Sequence, residues 1–227
     1  MMRSWKVVTT EGNAGAFHAR PIDNVTQPEI WIHEVHEPAL VLGSTQPESL
    51  LNSERASGDN IEICRRRSGG GLVRVDPDEL WVDIVLPAKS HLWERDIGTS
   101  MLWVGQTWAL ALKDHLPATN TTVYSGPLLN REIGRVLCFA GMGSGEVQID
   151  DYKVVGISQR RTREAARFQC LVKRDWYPDG IRRYLSSIGR QQIPWEQLRI
   201  GFPPDLQPRS VDPKRLLDSF TSHLPTP

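Results

Sequence analysis

Cysteine is scarce in this chain: Cys64, Cys138 and Cys170 are the three among 227 residues, an odd number with no C-x-x-C pair. A disulfide framework and a cysteine-based zinc site are therefore excluded, and each thiol is expected to be free. Net charge is absent, with 27 Lys and Arg against 27 Asp and Glu. That balance argues against a nucleic-acid binder and against an acidic disordered tail. Long apolar runs are missing as well. Leu80 to Pro87 and Met101 to Leu112 are short or interrupted, whereas a membrane-spanning helix needs about 20 apolar residues. Met1 to Gly15 carries Arg3 and Lys6 but no apolar stretch of signal-peptide length, so a cytoplasmic protein without membrane contact is expected. Neither an internal repeat nor a low-complexity linker divides residues 1–227, which are expected to form a single domain.

What remains, 39% hydrophobic and 24% charged residues, is the composition of an ordinary globular protein. Charge is uneven along it: residues 1–60 hold four basic and eight acidic side chains, and residues 151–227 hold fourteen and eight. Short runs rich in Val, Ile, Trp and Thr predict strands over Ile30 to Glu34, Ala39 to Leu42, Ile61 to Arg65, Leu72 to Arg74, Trp81 to Leu86, Arg135 to Phe139, Val147 to Ile149, Val154 to Ile157 and Arg167 to Val172. Helical spacing appears in three places: Ile97, Met101, Val104, Trp108 and Leu112; Ile181, Tyr184, Leu185 and Ile188; and Leu216, Leu217, Phe220 and Leu224, the last opened by Asp212-Pro213. The fold class is α+β, a mixed sheet packed against helices, with an irregular Pro-rich wrap from Ile193 to Pro208.

The densest chemical signal is Cys64-Arg65-Arg66-Arg67-Ser68-Gly69-Gly70-Gly71-Leu72-Val73. Three glycines without Cβ atoms let backbone N–H groups approach a ligand, and the arginines beside them offer forked donors to phosphate or carboxylate. The competing reading is a glycine hairpin whose arginines are merely solvated. No Gly-Lys-Ser/Thr ending follows, so a P-loop is excluded. Gly141-Met142-Gly143-Ser144-Gly145 has the wrong spacing for a dinucleotide fingerprint and leads into alternating residues, so it reads as a turn. Downstream, Asp150-Asp151 turns the chain and Lys153 opens a strand. Lys153 and the glycine loop form a pair of anchors that can converge on one anion.

Here the residues resemble a family. Arg65-Arg66-Arg67-Ser68-Gly69-Gly70-Gly71-Leu72-Val73, with Val41 to Gln46 before it and Asp76 and Leu80 after it, is similar to the R-R-x-S-G-G-G-A-V signature of lipoate–protein ligases and octanoyltransferases. Lys153-Val154-Val155-Gly156-Ile157-Ser158-Gln159 resembles their K-x-x-G-S-A-Q element, and the likeness runs from about residue 30 to 190. It implies the catalytic-domain fold of the biotin and lipoyl protein ligases. It further implies that Arg65, Arg66, Ser68, Gly69, Gly70, Gly71, Val73, Asp76, Gly156, Ser158 and Gln159 bind substrate or nucleotide, with no protein metal ligands. The family's N-M-A-L-D-E helix is replaced by Gly12 to Arg20, and its His-Gly by Gln169-Cys170. The short stretch after Gln192 leaves no room for the accessory domain of full ligases, so a separate accessory subunit is a candidate partner.

Two chemistries follow from the resemblance. A ligase joins lipoate or octanoate to ATP, accompanied by Mg²⁺, and passes the acyl group from the adenylate to a lysine of a lipoyl-domain protein; Lys153 would stabilise the phosphate charge, and this reading stands first. In the alternative, Cys138, followed by Phe139 as in one branch of octanoyltransferases, accepts octanoyl from an acyl-carrier protein as a thioester without ATP, its thiol activated by Lys153. Set against both, Cys138 is a buried small hydrophobe in a strand, or the chain is a non-catalytic acyl- or nucleotide-binding member. Lys153→Ala is expected to remove acyl transfer and leave the fold intact. Cys64 and Cys170 read as incidental thiols, the tryptophans as core, and His33 and His36 as surface residues on opposite strand faces rather than a metal pair.

Overall fold

A computed structural model describes residues 4–206 and 211–227. The start of the chain is β1 (Lys6–Gly12), α1 (Ala14–Ala19), β2 (Glu29–Val35), β3 (Ala39–Leu42), α2 (Ser53–Gly58), β4 (Glu62–Arg65), β5 (Val73–Val75) and β6 (Leu80–Pro87). There follow α3 (Leu102–His115), β7 (Thr121–Val123), α4 (Arg131–Val136), β8 (Val147–Ile149), β9 (Tyr152–Arg161), β10 (Ala165–Val172), α5 (Pro178–Arg182), α6 (Ser187–Gln191) and α7 (Pro213–Ser222). Seven strands form one sheet in the order β1-β2-β6-β10-β9-β8-β7, parallel between β1 and β2 and antiparallel elsewhere. A second sheet has the order β4-β3-β5.

Strand period two explains how the sheets are layered. On β6 and β10, Val82, Ile84, Phe168 and Cys170 face α3 and α7, while Trp81 and Leu171 face the small sheet. Every residue of Leu80–Pro87 and Ala165–Val172 is buried, so these central strands are covered on both sides. α3 contributes Val104, Trp108, Ala111 and Leu112 at helical spacing, and α7 stacks Phe220 on Trp108 at 3.9 Å between ring centroids. Asp212 caps α7 as its sequence indicates, accepting from Arg215 N at 2.9 Å ahead of Pro213.

Several expectations need correction. Arg135–Phe139 is no strand: α4 ends at Val136 and a 3₁₀ turn spans Cys138–Ala140. Its Val-Leu-Cys-Phe run finds one isolated bridge, Leu72 to Leu137, in place of a full ladder. The segment holding Ile181 and Ile188 splits into α5 and α6, because Ser186 caps a new helix by accepting from Gly189 N. The helix foreseen from Ile97 starts at Leu102, and Ile97 is exposed. β1, β7, α1 and α2 went unforeseen. His33 does oppose exposed His36, as alternation requires, but it is buried. Of the Pro-rich wrap, Gln207 and Pro208 lie outside the described residues.

His33 is buried because it belongs to a polar knot inside the sheet. Asp83, fully buried, accepts from His33 Nε2 at 2.8 Å, from Trp81 Nε1 at 2.8 Å and from Arg167 Nε at 2.7 Å, while Arg167 Nη2 also donates to Phe17 O at 2.8 Å. The knot thereby fastens α1 to β2, β6 and β10. Burial pushes the Asp83 carboxyl up, but the opposing pull of Arg167 and the His33 ring prevails and holds it well below the usual carboxylate range. Removing one partner from such a pair typically costs about 3–5 kcal/mol, so Asp83→Asn is expected to lower unfolding free energy by about 3 kcal/mol in urea. Because the folded-state acidity is raised, the wild-type contribution is present above the ordinary aspartate value of about 3.9 and is lost as pH falls below it. Acid titration of the variant should then be flatter than that of the wild type below about pH 4.

Candidate active site

The glycine loop runs from β4 to β5 and is fixed by the arginines that precede it. Arg65 Nη1 donates to Gly43 O at 2.9 Å. Arg66, buried, donates through Nε to Gly69 O at 3.1 Å and through Nη2 to Gly71 O at 2.9 Å. The arginines thus brace their own loop, which corrects the picture of an open cradle of guanidiniums. Past the glycines, Leu72 N donates to Val136 O at 2.9 Å and Cys138 N donates to Leu72 O at 3.0 Å. The two segments lie so close that a Cβ on Gly71 would stand 2.4 Å from Gly134 O. Gln46 seals the same junction, its Nε2 donating to Arg135 O at 2.8 Å and to Val136 O at 3.1 Å.

Lys153 stands at the opening of β9, after a turn in which Asp150 and Asp151 both adopt positive φ, 46° and 67°. It is 2% exposed, and its ammonium donates to Gly141 O at 2.7 Å and Cys138 O at 3.1 Å while pairing with Glu146 Oε2 at 2.6 Å. All three of its donors are engaged. Lys153 therefore touches the carbonyl of Cys138 and not its thiol, contrary to the expected activation. The group beside Cys138 Sγ is Arg66 Nη2, at 3.5 Å. Glu146 follows the glycine turn at the head of the alternating residues, where no motif marks it. Its second oxygen accepts from Ile157 N at 3.1 Å, on the neighbouring strand β9.

Two cavities meet at this point. The inner pocket has apolar walls of Val41, Val73, Trp81, Phe139 and Leu171. Gly156 belongs to it for steric reasons, since a Cβ there would lie 2.8 Å from the Phe139 ring. Deeper in, Ser68 Oγ meets Ser158 Oγ at 3.1 Å and donates to Gln169 Oε1 at 3.2 Å, while Gln169 Nε2 reaches His18 Nδ1 at 2.9 Å. Burial pushes the His18 imidazole down to about 3, so it is neutral near pH 7. His18 escaped notice because it sits where the family helix is replaced. The outer groove runs past Gly69, Gly70, Lys153 and Gln159 to a rim with exposed Ile97, Leu128 and Ile188. Cys138 lies in the walls of both cavities.

Of the residues singled out in sequence, Arg66, Ser68, Val73, Gly156, Ser158 and Cys138 gather around the inner pocket, and Gly69, Gly70, Lys153 and Gln159 line the groove. Gln159 contacts Ser100 Oγ at 3.1 Å. Arg65 and Gly71 support the loop from behind. Asp76 does not join them. It chelates Arg74 Nε at 2.9 and 3.0 Å in a different cleft, beside Lys173 and Trp176.

A family model for the lipoyl protein ligase A/B catalytic domain matches residues 16–200, well over half of the chain. The chain belongs to the lipoyl protein ligase A/B catalytic-domain family. It is similar to the octanoyltransferase LipM of Clostridioides difficile (strain 630), with 24% identity over 170 residues, 70% of this chain and 62% of that protein. This chain thus matches less than two thirds of that relative's length. Among solved structures, it resembles Ta0514, a putative lipoate protein ligase from T. acidophilum, with TM-score 0.72, 16% identity and coverage of 98% and 84% of the two chains. Lipoate-protein ligase A bound with ATP superimposes with TM-score 0.68, 15% identity and coverage of 98% and 85%. These structures confirm the fold expected for the family.

The engaged donors change one expectation about this family member. Removing Lys153 would strand the Glu146 carboxylate in the interior, so Lys153→Ala is expected to cost about 3 kcal/mol of stability as well as activity, and Glu146→Gln in the same chain should recover part of it in urea unfolding. In the loop, Gly69 faces open space, with nothing within 4 Å of an added Cβ. Gly69→Ala should be tolerated, whereas Gly71→Ala should displace α4 from the loop and lower the melting temperature by several degrees in a thermal scan.

Proposed function

We propose that this chain transfers an octanoyl group from an acyl-carrier protein to a lysine of a lipoyl-domain protein through a thioester on Cys138. The position of Cys138, in the wall shared by an apolar pocket and an open groove, carries this reading. The pocket suits an alkyl chain, whose burial contributes about 0.8 kcal/mol per CH₂, and the groove gives two protein-borne groups successive access to one sulfur. The Cys138 thiolate attacks the carbonyl carbon of the carrier thioester. A bond forms to Cys138, the carrier's C–S bond breaks, and the carrier sulfur leaves and takes a proton from solvent. The acceptor lysine, as the free amine, then attacks the acyl-Cys138 carbonyl. An amide forms, the Cys138 sulfur leaves as thiolate, and the nitrogen gives its proton to solvent.

The adenylate route is the second reading, and the ATP-bound structure of the same fold is what favours it. In this arrangement the side chains expected to meet its phosphates are engaged by protein groups. Lys153 is held by Glu146 and two carbonyls, Arg66 by two loop carbonyls, and Ser68 by Gln169. Incubating the protein with octanoyl-carrier protein and no ATP is expected to leave an octanoyl adduct on Cys138, visible by intact mass and removed by hydroxylamine. Cys138→Ser should lose transfer to a lipoyl domain by a factor of at least about 10³. Transfer from free octanoate that requires ATP, releases pyrophosphate and survives Cys138→Ser would replace this reading with the ligase.

A further inference from the structure

We propose that Arg66 is the counter-ion of Cys138, holding its sulfur as the attacking thiolate and receiving the charge when that sulfur leaves. This role rests on the thioester reading. Arg66 is 5% exposed, and among the described residues no carboxylate lies within 4.0 Å of its guanidinium. A buried cation without an anion is costly, because carbonyl oxygens supply dipoles and no countercharge. The contact beside those carbonyls is Cys138 Sγ, 3.5 Å from Nη2. That sulfur is the group nearby that can become an anion.

Two further features fix the contact. The guanidinium cannot swing away, since its bonds to Gly69 O and Gly71 O hold its plane. Gly70, at φ +100°, leaves the space in which the two groups meet: a Cβ there would stand 2.6 Å from Arg66 Nη2 and 3.4 Å from Cys138 Sγ. The other titratable or charged groups around the pocket offer no substitute. Lys153 is paired with Glu146, His18 is neutral, the buried Cys170 thiol is pushed up, and Arg131 and Arg135 stand exposed on the groove rim. Arginine is suited to the task because it stays protonated throughout the catalytic pH range.

The test is alkylation of Cys138 by iodoacetamide, with no acyl donor present, followed by peptide mass spectrometry from pH 6 to 10. The ratio of the rate at pH 7 to the alkaline plateau cancels differences in access, and a thiol of ordinary acidity gives about 3%. The wild type is expected to give about 25% or more, Arg66→Lys to keep most of that, and Arg66→Gln to fall about tenfold. A wild-type ratio near 3%, or an unchanged ratio in Arg66→Gln, overturns the assignment. Cys64 serves as the fold control, because burial and the neighbouring Glu62 push its thiol up to about 12 and it should stay unmodified at pH 7. If Arg66→Gln exposes Cys64, that variant has lost its fold and the wild-type ratio alone decides. Failure of the octanoyl adduct to form alongside a high alkylation ratio would sink the thioester reading and leave the ion pair standing.

Discussion

A lysine ammonium sealed inside a protein must find three acceptors and a countercharge, and around Lys153 the chain supplies both from one contiguous stretch. Gly141 O, Cys138 O and the Glu146 carboxylate converge on it. The 3₁₀ turn at Cys138–Ala140 and the glycine-rich passage after it therefore have their course set by a charge on β9, a strand that the sheet already holds rigid. Phe139 then lies with its ring 5.0 Å from the ammonium and against the bare face of Gly156. Cys138 is carried to the junction of the two cavities as a consequence.

The site's positive charges divide their labour. Arg65 and Lys153 hold backbone and also have acidic neighbours, Glu48 at 3.7 Å for the first and Glu146 for the second. Arg167, deeper in the sheet, is balanced by Asp83. Arg66 differs in meeting carbonyls and a sulfur. A pocket with apolar walls and little solvent magnifies that imbalance, because charges interact more strongly in a medium of low dielectric constant.

Much of this was legible in the sequence where local rules govern. Alternation located the central strands, Asp212-Pro213 marked the start of α7, and the arginine-glycine and lysine elements pointed to the family and to the two loops that meet. What escaped was set by side-chain contacts that no local pattern encodes, some of them between residues far apart along the chain. Nothing near Glu146 announces that it will face Lys153, and Arg66 resembles any basic residue beside a turn until Cys138 arrives beneath it. Arg135–Phe139 shows the converse error, a strand pattern whose apolar residues are buried by a turn. Asp76 follows the glycine motif closely, yet β5 carries it into another cleft, where Arg74 takes up both its carboxylate oxygens.

The parallel contact of Leu72 with Leu137 and Cys138 joins residues more than sixty positions apart, and the Asp83 to Arg167 pair spans 84. Neither can form until a long loop of chain has closed, and each loses considerable entropy in doing so. Hairpins such as β9–β10, by contrast, pair residues that are neighbours along the chain and close only short loops. The Cys138 sulfur and the Arg66 guanidinium beside it are supplied by different halves of the chain, 72 positions apart. Their contact is therefore a property of the finished fold and of no shorter stretch of the chain.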